Sequence, residues 1–262
     1  MTDARIEVRI EQRTAHGESG PVAHVTIDNR AKANALNSVL MGAFVETIER
    51  LGQDAALRAI VVTGAGEKAF VGGADIAEMS GLDRTGARAF ITRVHRCCDA
   101  VRKSPVPVIA RLNGYAFGAG LELAASCDMR VAADTALFGM QEVRLGIPSV
   151  VEAAVLPTLI GWGRTRELLL LGETIDAAKA EDWGLIERRV PAADLDAEIG
   201  RVLDSLVACG PRAIRIQKAL IGAWDGVTLD TAVAKGIDAF ASAFETDEPA
   251  RMLGAFVARK KT

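Results

Sequence analysis

The chain has 262 residues, 50% hydrophobic and 25% charged, with a formal net charge of −3. That length suits one catalytic unit with a helical extension rather than several independent domains. The mild acidity argues against a nucleic-acid binder working through bulk positive charge, and no apolar run reaches bilayer-spanning length, so no membrane partner is expected.

In chain order, apolar and charged residues alternate over 6–10 and again over 22–27, either side of a turn region between Gly17 and Gly20. This predicts a hairpin. Leu40, Phe44, Val45 and Ile48 then recur at helical spacing from Val39. A buried strand is predicted over 59–63, closed by Gly64 and Gly66. The order then repeats, with a helix over 88–103 and a strand over 106–112 flanked by prolines. A glycine-punctuated turn follows, then an apolar helix over 121–127 and short strands over 129–132 and 136–138. Such recurrence of strand, strand and helix predicts a mixed α/β core rather than an open doubly wound sheet. Beyond Pro191 four helices are predicted, over 194–208, 211–224, 228–244 and 248–260. We therefore divide the chain into a catalytic core, 1–192, and a helical region, 193–262, that covers the site or builds an oligomer.

The N-terminal residues from Met1 to Arg5 lack the apolar stretch of a secretory signal, so a cytoplasmic, reducing setting is expected. Cys97, Cys98, Cys127 and Cys209 show no paired ligand spacing, and no metal site is expected. Cys97 and Cys98 read as small core or boundary residues on a helix. His16, His24 and His95 fall in a turn, a strand and a helix, with no Ser–His–acid arrangement, and read as structural or surface residues.

Two glycine-rich turns carry the chemistry: Phe70-Val71-Gly72-Gly73-Ala74-Asp75-Ile76, and Asn113-Gly114-Tyr115-Ala116-Phe117-Gly118-Ala119-Gly120-Leu121-Glu122. Each leads from a strand into a helix with no large side chain at the bend, exposing the first helical N–H groups to negative charge. Neither ends in the Gly-Lys-Ser/Thr of a nucleotide loop, and the dinucleotide fingerprint is absent. Singly, each fits tight packing or anion binding; together they fit the two converging donors of an oxyanion hole. Glu122 lies three residues after Ala119, on the same helix face one turn in, among apolar neighbours. A carboxylate there is costly unless paired, hydrated or used, and a buried salt bridge is the alternative. Glu142 stands between a short strand and a Gly/Pro turn, where a catalytic side chain is well presented, or where it pairs with Arg144 or Arg111. Ser149 and Glu152 have the spacing of a helix capping box.

With these residues in view, the sequence resembles the crotonase (enoyl-CoA hydratase/isomerase) superfamily over about residues 25–259. The resemblance runs through Ala33-Asn34-Ala35-Leu36, both glycine-rich turns, Ala125-Ser126-Cys127-Asp128, Gly161-Trp162-Gly163-Arg164 and Ala255-Phe256-Val257-Ala258-Arg259-Lys260. It implies an α/β spiral of repeated strand–strand–helix units with C-terminal helices that build a homotrimer, often paired as a hexamer. It also implies an acyl-CoA thioester substrate, with the oxyanion hole formed by the N–H groups of Ala74 and Ala119. Glu142 would deliver a proton at C2 and Glu122 would deprotonate the water attacking C3. Substrate and CoA contacts would fall to Arg30, Lys32, Ala33, Ala69, Gly73, Asp75, Ile76 and Gly118, with Phe256 near the adenine and the neighbouring subunit's Lys260 or Lys261 on the phosphates. No cofactor is implied beyond the CoA carried by the substrate.

Two glutamates favour hydration over isomerisation, which often needs one acid. A dehalogenase would need an aspartate nucleophile and a nearby histidine. A thioester hydrolase, a decarboxylase and a catalytically idle acyl-CoA-binding scaffold are the remaining alternatives. The chain departs from the family at Met140-Gln141-Glu142, where Gln-Pro-Glu is usual, and at Ser149-Val150-Val151-Glu152, where a Gly-Gly turn is common. Ala77 also replaces a lysine that often follows Ala-Asp-Ile, removing a CoA contact. The first two departures are expected to reshape the acyl pocket.

Overall fold

The computed structural model describes residues 4–259. Strands β1 (Arg5–Ala15) and β2 (Glu18–Asp28) pair antiparallel along their whole length. The turn between them holds His16 and Gly17, both at positive φ (52° and 90°), the left-handed geometry that suits the twist of a two-residue hairpin. Helix α1 (Ser38–Gly52) starts where the Asn37 side chain accepts from the Leu40 N–H, and it buries Leu40, Met41, Phe44, Ile48 and Leu51.

Three rounds of the same unit follow. The first is β3 (Ala59–Gly64), β4 (Ala69–Val71), the short α2 (Ile76–Met79) and the long α3 (Arg84–Lys103). The second is β5 (Val108–Leu112), β6 (Tyr115–Phe117) and α4 (Ala119–Ser126). The third is β7 (Met129–Ala133), β8 (Leu137–Gly139) and α5 (Leu156–Leu171). Each round gives its first strand to a six-stranded sheet and its second to a four-stranded sheet, so the chain winds as a spiral. Next come β9 (Thr174–Asp176), α6 (Ala177–Trp183) and β10 (Arg188–Val190). The sheet orders are β1-β2-β3-β5-β7-β10 and β4-β6-β8-β9. From β2 to β10 the larger sheet is parallel, as expected when helices cover its strands.

The remaining helices are α7 (Leu195–Val207), α8 (Pro211–Ala223), α9 (Leu229–Ala243) and α10 (Glu248–Arg259). Alternation along β3 explains the place of α7. Ile60 and Val62 enter the main core, whereas Ala59 and Val61 face the other way, against Leu195, Ile199, Val202 and Leu203 of α7. In contrast, α8 and α9 have no buried residues, and with α10 they expose Ile221, Leu229, Ile237, Phe240 and Phe256. An apolar surface on that scale is characteristic of an association face.

Helix α3 begins four residues before the periodicity predicts, because the Asp83 side chain accepts from the Gly86 N–H and starts it. The three-residue strands β4, β6, β9 and β10 are too short for alternation to reveal. The helix expected to open at Ser149 begins later, as α5 at Leu156 after a 3-10 turn, and Gly161, at φ 77° and ψ 160°, kinks it. Cys97 and Cys98 lie on α3 in the core, as expected. Among the described residues, no helix is long and apolar enough to cross a membrane.

Candidate active site

The loop between β4 and α2 is drawn tight against the Arg30–Lys32 turn. Gly72 donates its N–H to the Ala33 carbonyl at 2.8 Å, and a Cβ at Gly72 would stand only 2.9 Å from that oxygen. Leu36 then bridges the chain on either side of Ala74: its N–H donates to Gly73 O and its carbonyl accepts from Asp75 N–H, each at 2.8 Å. With both neighbours turned toward Leu36, the Ala74 N–H points to the opposite side, and Ala74 lines the cleft. The Asp75 carboxylate caps α2 by accepting from the Ala77 and Glu78 N–H groups.

The second loop joins β6 to α4. Gly118 holds φ 50° and ψ −121°, and a Cβ there would collide with Glu142 Oε1. A Cβ on Gly120 would collide with the Val71 carbonyl, so α4 packs directly on the end of β4. That contact brings the two loops together. Ala119 is the first residue of α4, and its N–H is one of those for which a helix offers no acceptor. Two side-chain amides hold the β3–β4 connection that leads into the first loop. Asn34 donates to Ala65 O and Ala69 O at 3.0 and 2.8 Å, and Asn113 donates to Gly64 O and Gly66 O.

Glu122, one turn into α4, is only 3% exposed, and its Oε1 accepts from the Ala153 N–H at 3.2 Å. No ion pair to it exists among the described residues, so the salt-bridge alternative is not realised. Burial, joined by the negative charges of Glu142 and Glu152 and opposed by the Ala153 N–H, pushes its carboxyl up to about 8. Glu142 opens a 3-10 turn, Glu142–Leu145, and its Oε2 accepts from the Ser149 hydroxyl at 2.7 Å. It pairs with neither arginine considered above: Arg144 donates to Leu171 O, and Arg111 is held by Asp196.

Glu122, Glu142, Ala74, Ala119, Gly73, Gly118 and Ile76 line one cleft of about 130 Å³, partly open to solvent. Met79, Phe90, Ile91, Val94, Leu145, Ile147 and Val150 give it an apolar wall. The other candidates lie apart from this lining. Arg30 grips Asp28 through two hydrogen bonds, and Lys32 Nζ stands 2.6 Å from Asp75 Oδ2. Ala33 sits in a left-handed conformation behind Gly72. Ala69 is buried, and its carbonyl accepts from Asn34 and Asn113. Phe256 is exposed on α10. Lys260 and Lys261 lie outside the described residues.

The capping box read at Ser149 and Glu152 does not form. The 3-10 turn Val151–Val155 starts at Val150 with no side-chain cap; Ser149 serves Glu142, and Glu152 turns inward to His95. The competing acceptor and donor sit on distant segments, which local spacing does not reveal. Asn34 and Asn113 also went unnoticed as individuals. Both stand inside motifs quoted above, and their only separate signal is an amide side chain amid small and apolar residues.

The spiral of strand–strand–helix units with helices gathered at its C-terminal end is the crotonase fold. A family model described as enoyl-CoA hydratase/isomerase matches residues 17–262. The chain is 35% identical to a short-chain-enoyl-CoA hydratase of Clostridium acetobutylicum over 93% of its own length and 94% of the relative's. It is 36% identical to a crotonyl-CoA hydratase of Syntrophomonas wolfei, over 89% and 90% of the two chains. The crystal structure of an enoyl-CoA hydratase from Bacillus anthracis superposes with a TM-score of 0.89 at 31% identity, covering 96% of each chain. The chain belongs to the enoyl-CoA hydratase/isomerase family.

Proposed function

We propose that this chain is an enoyl-CoA hydratase, adding water across the C2–C3 double bond of a 2-enoyl-CoA to give a 3-hydroxyacyl-CoA. The observation that carries this reading is the convergence of two carboxyls, Glu122 and Glu142, on a cleft also lined by Ala74 and Ala119. Attack of water at C3 pushes electrons through C2 onto the thioester oxygen. The Ala74 and Ala119 N–H groups would meet that charge, and losing one such donor costs about 2.7–4 kcal/mol of transition-state stabilisation. Glu122 takes the proton lost by the attacking water, while Glu142 supplies a proton to C2. One oxygen and two hydrogens are added, and the pair ends with as many protons as it began with.

The two acids therefore work with one proton between them. In the ligand-free chain burial favours the proton on Glu122; addition requires it on Glu142. This sets a pH limit. Once the shared proton is lost no acid remains, so kcat/KM is expected to fall as pH rises through about 8. A steady-state pH profile with an enoyl-CoA checks this, and a flat profile across that region would contradict it.

The apolar wall suits an acyl chain. For the CoA phosphates we assign Arg30 and Lys32, each drawn from its present carboxylate partner by the ligand, with Ala33 and Ala69 alongside and Asp75 left capping α2. The exposed apolar faces of α8, α9 and α10 support a trimer, or a hexamer made of two trimers. In that assembly Phe256 would approach the adenine, and Lys260 of a neighbouring copy the phosphates. No metal step is needed, and a cytoplasmic setting suits a soluble thioester substrate. The reading is tested by supplying crotonyl-CoA and longer enoyl-CoAs and following loss of the conjugated thioester absorbance. Tight acyl-CoA binding without turnover of any of them would instead support the idle scaffold.

A further inference from the structure

Residues 149–153 form a strap that touches both acids. Its first residue donates the Ser149 hydroxyl to Glu142 Oε2 at 2.7 Å, and its last donates the Ala153 N–H to Glu122 Oε1 at 3.2 Å. Between them Val151 stands at φ 38°, a left-handed value that a β-branched residue adopts only under constraint from its surroundings. No side chain caps the turn to supply that constraint.

Glu152 supplies it. Its carboxyl is 3% exposed, with Oε1 2.8 Å from His95 Nδ1 and 3.9 Å from the Arg102 guanidinium, both on α3. Its second oxygen is buried with no hydrogen-bonding partner among the described residues. A neutral side chain would tether the strap to His95 without the cost of burying a half-satisfied carboxylate. The acid does more than tether.

We propose that Glu152, held by His95, is a positioning residue for the acid–base pair. It clamps the strained strap so that Ser149 and Ala153 stay on the two carboxyls, and it sets a negative charge behind Glu122. This rests on the hydratase reading. The charged groups around Glu122 are Glu142 and Glu152, with His95 and Arg102 of α3 on the far side of Glu152. Cys98 on the same helix stays a neutral thiol because burial pushes it well up. After burial and Glu142, the charge of Glu152 is a further cause holding the proton on Glu122.

The test is Glu152→Gln in the full-length protein, compared with His95→Asn, which keeps a donor near the Nδ1 position, and His95→Leu, which does not. Glu152→Gln should lower kcat by up to about 10²-fold, the scale of a misplaced catalytic group, with little change in KM. The alkaline limb of kcat/KM should move to lower pH, because a charge that holds the proton on Glu122 is gone. His95→Asn should retain most of the activity that His95→Leu loses. A readout independent of turnover is the unfolding-stability gap between Glu122→Gln and its parent, measured against pH with and without Glu152→Gln. That gap should level off at a lower pH, and at a smaller value, when Glu152 is replaced. An unmoved limb and an unmoved gap, or equal behaviour of the two His95 variants, would overturn the clamp. Absence of enoyl-CoA hydration by the parent would overturn the hydratase reading instead, while the stability gap would still judge the clamp.

Discussion

Glu142→Gln is expected to cut the hydration kcat by about 10²–10⁴-fold, and Glu122→Gln by a similar factor. Glutamine keeps the size of the side chain and can still accept from Ser149 or Ala153, so packing around the strap should survive. What it loses is the ability to exchange a proton. The double variant should be far less damaged than the product of the two single effects, because groups that act as a unit fail as a unit. Steady-state kinetics with crotonyl-CoA on all three variants checks this. Near-wild-type turnover in both single variants would remove the assigned roles, whereas loss in Glu142→Gln alone would point to a one-acid reaction such as double-bond migration.

Glu122→Gln should at the same time make the folded protein more stable. The Glu122 carboxyl is held at about 8 in the fold, above the ordinary carboxylate range of an unfolded chain. The folded state therefore binds its proton more tightly. The stability this proton supplies is complete below the ordinary carboxylate range and is lost as pH rises through about 8. Near neutral pH the cost of burying the acid is on the order of 3 kcal/mol, and a neutral amide avoids it. The gain should be small near about pH 5 and grow toward about pH 8. Urea unfolding of both proteins across that range, at one protein concentration so that assembly does not confuse the comparison, measures it. A gain that fails to grow with pH would show that Glu122 is not held as a buried acid. Stability lost for function in this way is common where an active site keeps an unfavourable group.

Much of this arrangement was legible before any coordinates. Hydrophobic alternation in β1 and β2, the continuous apolar run of β3 and the helical spacing of α1 reported the layers, because burial acts on each side chain as the chain passes the core. The glycines at 72 and 120 were legible for a different reason: close backbone contact leaves no room for a side chain there, while those at 73 and 118 hold positive φ, and only composition records either. Glu122 stood out because an acid amid small apolar residues is costly. What stayed hidden was pairing across distance. Ser149 with Glu142 and His95 with Glu152 are separated by 7 and 57 residues, and no local pattern prefers those partners to a capping box. Lys32 and Asp75 are likewise joined across 43 residues, so a lysine read as a free phosphate contact proves to be held by the cap of α2.

The most direct measurement is turnover of a 2-enoyl-CoA in water enriched in heavy oxygen, with the product thioester weighed by mass spectrometry. The account predicts a 3-hydroxyacyl-CoA heavier than the substrate by one molecule of that water, with the label in its new hydroxyl. A product of unchanged mass, or free CoA with a labelled acid, would contradict it.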